Sequence, residues 1–173
     1  MQLRIKNTAL TIIIIGWLQI IGGITGLGLM AYLMYNAGSL NGALLLLLLI
    51  GLSLFIFSIY SGKKLLTCQD KRPGIIFSMI NQLLQVFQVS MFGFAFCYSS
   101  GIELVTGFQG MDIKFNVAVV TSNFQMIIRS TTEGYFKINI IPVIVLLTLY
   151  SIWLELNKKN KINIDTTMDK NFH

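Results

Sequence analysis

Four apolar runs, each close to the length of a membrane-spanning helix, occupy most of the chain. A bilayer core about 30 Å thick needs roughly 20 mostly apolar residues in helical conformation. The runs extend from Ala9 to Tyr35, from Leu40 to Tyr60, from Gly74 to Tyr98 and from Ile138 to Leu156. The first run is longer than the apolar region of a cleavable signal peptide, which has about 7 to 15 residues. The pattern therefore predicts a retained signal anchor and an all-α bundle of four transmembrane helices, in a single domain that covers residues 1–173.

The segment between the third and fourth runs, Ser99 to Lys137, has a different pattern. From Asp112 to Arg129, apolar and polar residues alternate with period two, and Thr121 to Asn123 interrupts the alternation as a turn does. β-Branched and aromatic residues at this period are typical of strands, so the pattern predicts a β-hairpin, with a short third strand from Tyr135 to Ile140. An amphipathic helix also fits part of the segment, with an apolar face formed by Val117, Val120, Phe124 and Ile127.

The third run contains four amides, Asn81, Gln82, Gln85 and Gln88, within about two turns. At about 100° per residue, Asn81, Gln85 and Gln88 form one stripe along a helix, and this stripe covers the middle of the predicted span. An amide that faces hydrocarbon without a partner costs several kcal/mol. We therefore expect the stripe to face protein or a water-filled cavity.

The first run contains a pair of glycines, Gly22 and Gly26, at the spacing that lets two membrane helices approach closely. Packing within the chain and a seam between two copies of the chain both fit this spacing. Glycine is common in membrane helices, so the spacing alone does not choose between them.

Composition supports the assignment to a membrane. The chain is 54% hydrophobic and 12% charged, with a mean hydropathy of +0.72, whereas soluble domains have about 25% charged residues. Its many Ile, Asn and Lys residues are typical of an AT-rich bacterial genome, for which the membrane in question is the plasma (inner) membrane.

The basic residues predict the orientation of the spans. Ten of the 13 Lys and Arg residues lie before the first run, between the second and third, or after the fourth. Short loops rich in Lys and Arg stay in the cytoplasm. We therefore expect both termini, including a tail of residues 157–173, to be cytoplasmic and residues 99–137 to be extracytoplasmic. The same charge pattern suits anionic lipid headgroups, and no basic stripe interleaved with aromatics indicates nucleic-acid binding.

The residues needed for common membrane chemistries are missing from the sequence. Cys68 and Cys97 lie at opposite ends of the predicted third span, so they cannot form the paired cysteines of a redox enzyme. The single histidine is the last residue, His173. Haem ligation, a histidine-rich metal site and a catalytic triad therefore lack their parts, and we expect no enzyme activity and no cofactor.

Two classes of function fit these observations. In the first, the protein is a non-catalytic component of a membrane assembly, and the amides hold its helices together. The segment between the third and fourth runs then binds a partner or a second copy through Phe115, Phe124 and Met126. In the second, the protein is a subunit of a small oligomeric transporter or channel, and the amide stripe lines its pathway. Ion-coupled transport usually requires an ionisable side chain inside the membrane, and the four runs contain none away from their ends. The sequence therefore favours the structural class.

Overall fold

The computed structural model of the chain describes residues 7–36, 41–91, 94–109, 112–128 and 134–170. These residues form four helices and four strands. In chain order they are α1 (Thr8–Asn36), α2 (Gly42–Thr67), α3 (Lys71–Val86), β1 (Phe87–Met91), β2 (Phe94–Gln109), β3 (Asp112–Ile128), β4 (Tyr135–Asn139) and α4 (Ile140–Lys170).

Three helices in the described part of the chain are long and apolar enough to cross a membrane: α1, α2 and the Ile140–Lys158 portion of α4. Polar caps fix where two of the helices begin. The Asn41 side chain accepts a hydrogen bond from the Leu44 amide at 2.8 Å before α2, and Asp70 accepts from the Arg72 amide at 3.1 Å before α3. The Arg72 guanidinium donates to the same carboxylate and thereby lowers the pKa of Asp70.

β2 is the central strand of an antiparallel sheet. β3 pairs with one edge of β2 along almost its whole length. On the other edge, β1 pairs with β2 as far as Phe96, β4 pairs with it from Val105 onward, and β1 and β4 pair with each other. These pairings require β2 to bend between Phe96 and Val105, and its ladder with β3 shifts register there, between Gly101 and Glu103. Gly101 has a φ of +116°, which glycine adopts without the steric cost that other residues meet.

The prediction of an all-α four-helix bundle is wrong, because the predicted third span, Gly74 to Tyr98, is helical only as far as Val86. From Phe87 onward, polar residues alternate with apolar aromatic and β-branched ones. This pattern suits a pleated strand, whose backbone groups find partners in β2 and β4.

The predicted hairpin between Asp112 and Arg129 is wrong as well, whereas the short strand predicted from Tyr135 is confirmed as β4. β3 runs from Asp112 to Ile128 without a turn. The reason is that β2 offers a continuous partner, so that even Thr121 and Asn123 stay in the ladder, opposite Gly101 and Ser99. The same ladder shows that this segment is strand and not the alternative amphipathic helix. Arg129 lies outside the described residues.

The core has two levels. In the first, all four helices contribute to a cluster formed by Ile12, Ile15, Leu65, Ile75, Leu149 and Ile152. In the second, the sheet replaces α3 and α4 as the partner of α1 and α2, in a cluster formed by Met30, Leu48, Phe55, Tyr98 and Phe124. The transition between helical and strand packing therefore occurs where α3 ends and α4 begins.

Candidate functional site

Polar side chains from four elements meet at this transition, in what we call the central polar cluster. Its members are all buried, and they are Gln19 of α1, Ser58 of α2, Ser78, Asn81 and Gln85 of α3, and Tyr98 and Ser100 of β2. Two of them belong to the amide stripe that the sequence indicates. Ser78 lies one turn before Asn81 on the same helix, and the others come from segments that are far apart along the chain.

Asn81 joins three of these elements. Its Nδ2 donates to Ser58 Oγ on α2 at 3.2 Å, and its Oδ1 lies 3.3 Å from the Tyr98 hydroxyl on β2. That hydroxyl also lies 3.0 Å from the carbonyl oxygen of Leu54. Ser58 Oγ in turn donates to the Gln19 carbonyl oxygen on α1 at 3.0 Å. Asn81 is therefore the point at which α3 is hydrogen-bonded to both α2 and the sheet.

Gln85 satisfies a backbone group of the bent strand. Its Oε1 accepts from the Ser100 amide at 2.9 Å, and its Nε2 donates to the Asn81 carbonyl oxygen at 3.2 Å. Asn139, at the end of β4, does the same for Leu104, whose amide donates to Asn139 Oδ1 at 3.1 Å. Both amides belong to the stretch of β2 that neither β1 nor β4 reaches. Two side-chain amides thus replace strand partners at the bend.

Gln82 faces a small cavity beside the cluster. The cavity has a volume of about 20 Å³ and is lined by Gln19, Gln82, Gln85 and Ser100 together with apolar residues of α1, β2 and α4. A single water needs about 10–15 Å³ on this measure. The space beside the amides is therefore of the order of one water molecule.

Gln88 is separated from the other three amides, because α3 ends before it and it lies on β1. Its Nε2 donates to Glu103 Oε1 across the sheet. Directly paired residues share a face of a sheet, and the register places a set of buried polar residues on the same face as Gln88. We call this the inner polar face; it comprises Gln88, Ser90, Ser99, Glu103 and Asn139.

The two glycines of the sequence motif pack within the chain. A Cβ at Gly22 would lie 2.5 Å from the Ser100 carbonyl carbon, and a Cβ at Gly26 would overlap the Phe55 ring. Gly22 therefore admits the backbone of β2 to the surface of α1, and Gly26 admits a side chain of α2. The sequence motif indicates close approach but not that a strand is one of the partners.

Two of the three partner-binding candidates lie against the protein's own helices. Phe124 is buried beside Met30, and Met126 is half-buried beside α2. The side chain of Phe115 lies outside the described part of the structure. Phe124 and Met126 thus hold β3 on α1 and α2.

The described residues contain no grouping of three His, Cys, Asp or Glu side chains that could hold a metal ion. Both cysteines are free: Cys68 ends α2 and is partly exposed, whereas Cys97 is buried on β2. His173 lies outside the described residues.

No family model, curated protein or solved structure matches the chain. What the residues define is a class of architecture, in which helices of membrane-crossing length pack on a bent antiparallel sheet through a buried polar cluster.

Several cluster members were missed by the sequence reasoning because their role is long-range. Gln19 is an isolated amide in an apolar helix, and this isolation is the feature that could have identified it, whereas Ser58 is one of three serines in α2 and carries no such signal. Tyr98 and Ser100 could not be assigned, because the bend of β2 depends on pairings with β1, β3 and β4.

Proposed function

We propose that the protein is a non-catalytic multi-pass protein of the plasma (inner) membrane, acting as a structural or partner-binding component of a membrane assembly. Its apolar helices support the membrane location. A cytoplasmic location of both termini is supported by the basic residues Lys63, Lys64, Lys71 and Arg72, which lie where α2 gives way to α3, and by Lys158 near the other end of the chain.

The observation that supports a structural role most directly is that most polar groups of the central polar cluster are bonded within it, although Gln19 Nε2 is buried without a partner among the described residues. Asn81 and Gln85 donate to and accept from groups of α2, α3 and β2. The adjoining cavity, at about 20 Å³, has no room for a row of waters or a hydrated ion. A pathway through this cluster would need more space than this cavity offers.

Directional bonds give the cluster a specific task. Apolar helices in lipid have little preference for one register over another, since lipid tails are as apolar as their side chains. The bonds from Asn81 to Ser58 and from Ser58 to Gln19 favour one register of α1, α2 and α3. A bundle fixed in this way presents constant outer surfaces, which recognition of a protein partner or a second copy requires.

Purification from native membranes in lipid nanodiscs tests this proposal. We expect one partner protein, or a second copy of the chain, to accompany the protein at constant stoichiometry. Isolation of the chain as a monomer without any partner would contradict the proposal. Solute or ion flux in proteoliposomes that exceeds that of empty liposomes and is lost in Asn81→Leu would instead favour the transporter or channel subunit.

A further inference from the structure

The exposure of side chains in the sheet is the reverse of that in a water-soluble sheet. On β1, Phe87 and Met91 are 46% and 49% exposed, whereas the intervening Gln88 and Ser90 are only 5% and 2% exposed. Sheets with one face in water place their polar residues on that face. Strands with apolar residues outside and polar residues inside are typical of sheets in contact with lipid.

The neighbouring strands extend this apolar surface. Phe136 of β4 packs beside Phe87 with ring centroids 6.0 Å apart. We define the outer apolar face as the exposed residues of this side of the sheet, Phe87, Met91, Phe94, Phe108 and Phe136. The outer apolar face and the inner polar face are opposite sides of the same strands. The hydrogen bond between Gln88 and Glu103 therefore lies beneath a surface of mainly aromatic side chains.

The bend of β2 lies level with the middle of the apolar helices. Ser100 contacts Gly22, which is 14 residues from the start of the 29-residue α1. At 1.5 Å per residue this is about 21 Å along a helix of about 44 Å. On the same level, Ser100 Oγ lies 3.0 Å from Ser58 Oγ of α2. If α1 crosses a membrane, the bend of the sheet is within the membrane's depth.

Chain length leads to the same conclusion. The 16 residues of α3 span about 24 Å, which is less than the roughly 30 Å of a bilayer core. The five residues of β1 follow directly and add about 16 Å. α3 and β1 in succession are therefore long enough to cross, and β4 extends α4 in the same way at its beginning.

The backbone of β1, β2 and β4 is suited to an environment without water. In hydrocarbon, each N–H and C=O group needs a protein partner. β1 and β4 each pair with two strands, and the bend of β2 receives Gln85 and Asn139 as acceptors. The outer edge of β3 pairs with no strand among the described residues; β3 lies beside α1, where the Ser122 side chain, not its backbone, donates to the Gly22 carbonyl oxygen at 2.7 Å.

We propose that the sheet lies inside the hydrocarbon region of the membrane, with lipid acyl chains against its outer apolar face, and that α3 with β1 and β4 with α4 cross the membrane as composite helix–strand spans. This inference rests on the membrane location proposed above. It moves the bend of β2 from the extracytoplasmic side, where the sequence placed all of residues 99–137, to the membrane interior. It also gives four crossings, consistent with both termini on one side.

Single-tryptophan variants in proteoliposomes test this placement. Phe87→Trp and Phe136→Trp are made separately in a background in which both native tryptophans, Trp17 and Trp153, are replaced by Phe. Trp17 alone, on an exposed face of α1, provides the lipid reference. Gln69→Trp, in the exposed connection between α2 and α3, provides the water reference. Lipids brominated midway along their acyl chains quench tryptophan from the membrane, and iodide quenches it from water.

We expect brominated lipid to quench the tryptophans at 87 and 136 as strongly as Trp17, and iodide to quench only the one at 69. Iodide quenching at 87 and 136, with Trp17 still quenched by lipid, would overturn the embedded sheet and leave the membrane location intact. Loss of lipid quenching at Trp17 itself would overturn both. Quenching at 87 and 136 by neither agent would mean that a protein surface covers the face, which also overturns the inference. Phe94→Trp replaces either variant if that variant does not fold.

Discussion

Replacement of Gln85 by methionine tests whether the buried amides serve the bend of β2. Methionine keeps the length of the side chain but removes the acceptor that Gln85 Oε1 provides for the Ser100 amide at 2.9 Å. A buried donor left without a partner costs about 1–3 kcal/mol. The lost bond from Gln85 Nε2 to the Asn81 carbonyl adds little, because that oxygen is already a helix acceptor. We therefore expect Gln85→Met to lower the free energy of unfolding by about 2 kcal/mol.

Gln82→Met is the matched control, since Gln82 is the same residue type on the same helix and is also buried. Its side chain has no hydrogen bond to another described residue, so its removal should cost almost nothing. Unfolding by sodium dodecyl sulfate in mixed micelles measures both variants against the wild type. Equal destabilisation by the two substitutions, or a neutral Gln85→Met, would refute the proposed role of Gln85.

Three further outcomes are expected. Gly22→Ala should lower the melting temperature in detergent, because its Cβ would lie 2.5 Å from a strand backbone atom. Gly28→Ala should leave the melting temperature unchanged, since nothing lies within 4 Å of a Cβ there. Equal effects of the two substitutions would contradict the close contact at Gly22. In a background without the two native cysteines, an impermeant maleimide applied to intact cells should label Gly134→Cys, on the expected outer side, and not Gln69→Cys, on the expected cytoplasmic side. The reverse labelling pattern would contradict a cytoplasmic location of the termini. The pKa of Asp70 is lowered by the neighbouring arginine, so its stabilising contribution is present above the usual Asp range and lost as pH falls through the lowered value. This small pH dependence of unfolding should vanish in Asp70→Asn, and its persistence there would assign it to another group.

The apolar runs were enough to predict the helices that form without long-range help. α1 and α2 begin and end close to the limits of their apolar runs, or extend beyond them, and α4 begins at Ile140 and continues past the predicted end at Leu156. Length and hydrophobicity determine such helices because every backbone bond is local.

The third run could not be assigned correctly on the same grounds. Phe87 to Tyr98 is as apolar as the helices, and apolar content alone does not separate a buried strand from a helix. The alternation of Gln88 and Ser90 with apolar neighbours was visible in the sequence, and it marks β1. The missing information was the partner: β1 exists because β2 and β4 lie on either side of it. For the same reason β3 passes through Thr121 to Asn123 without turning.

The choice of amides at the bend follows from what a strand without a partner needs. Each open position of β2 exposes an N–H donor, and the acceptor that meets it must be long enough to cross the gap that β1 or β4 leaves. A hydroxyl is too short to reach from α3. Gln85 and Asn139 supply a neutral acceptor at 2.9 Å and 3.1 Å, respectively. The polar residues in the middle of an apolar sequence are thus explained by a bent strand that must find its hydrogen bonds without water.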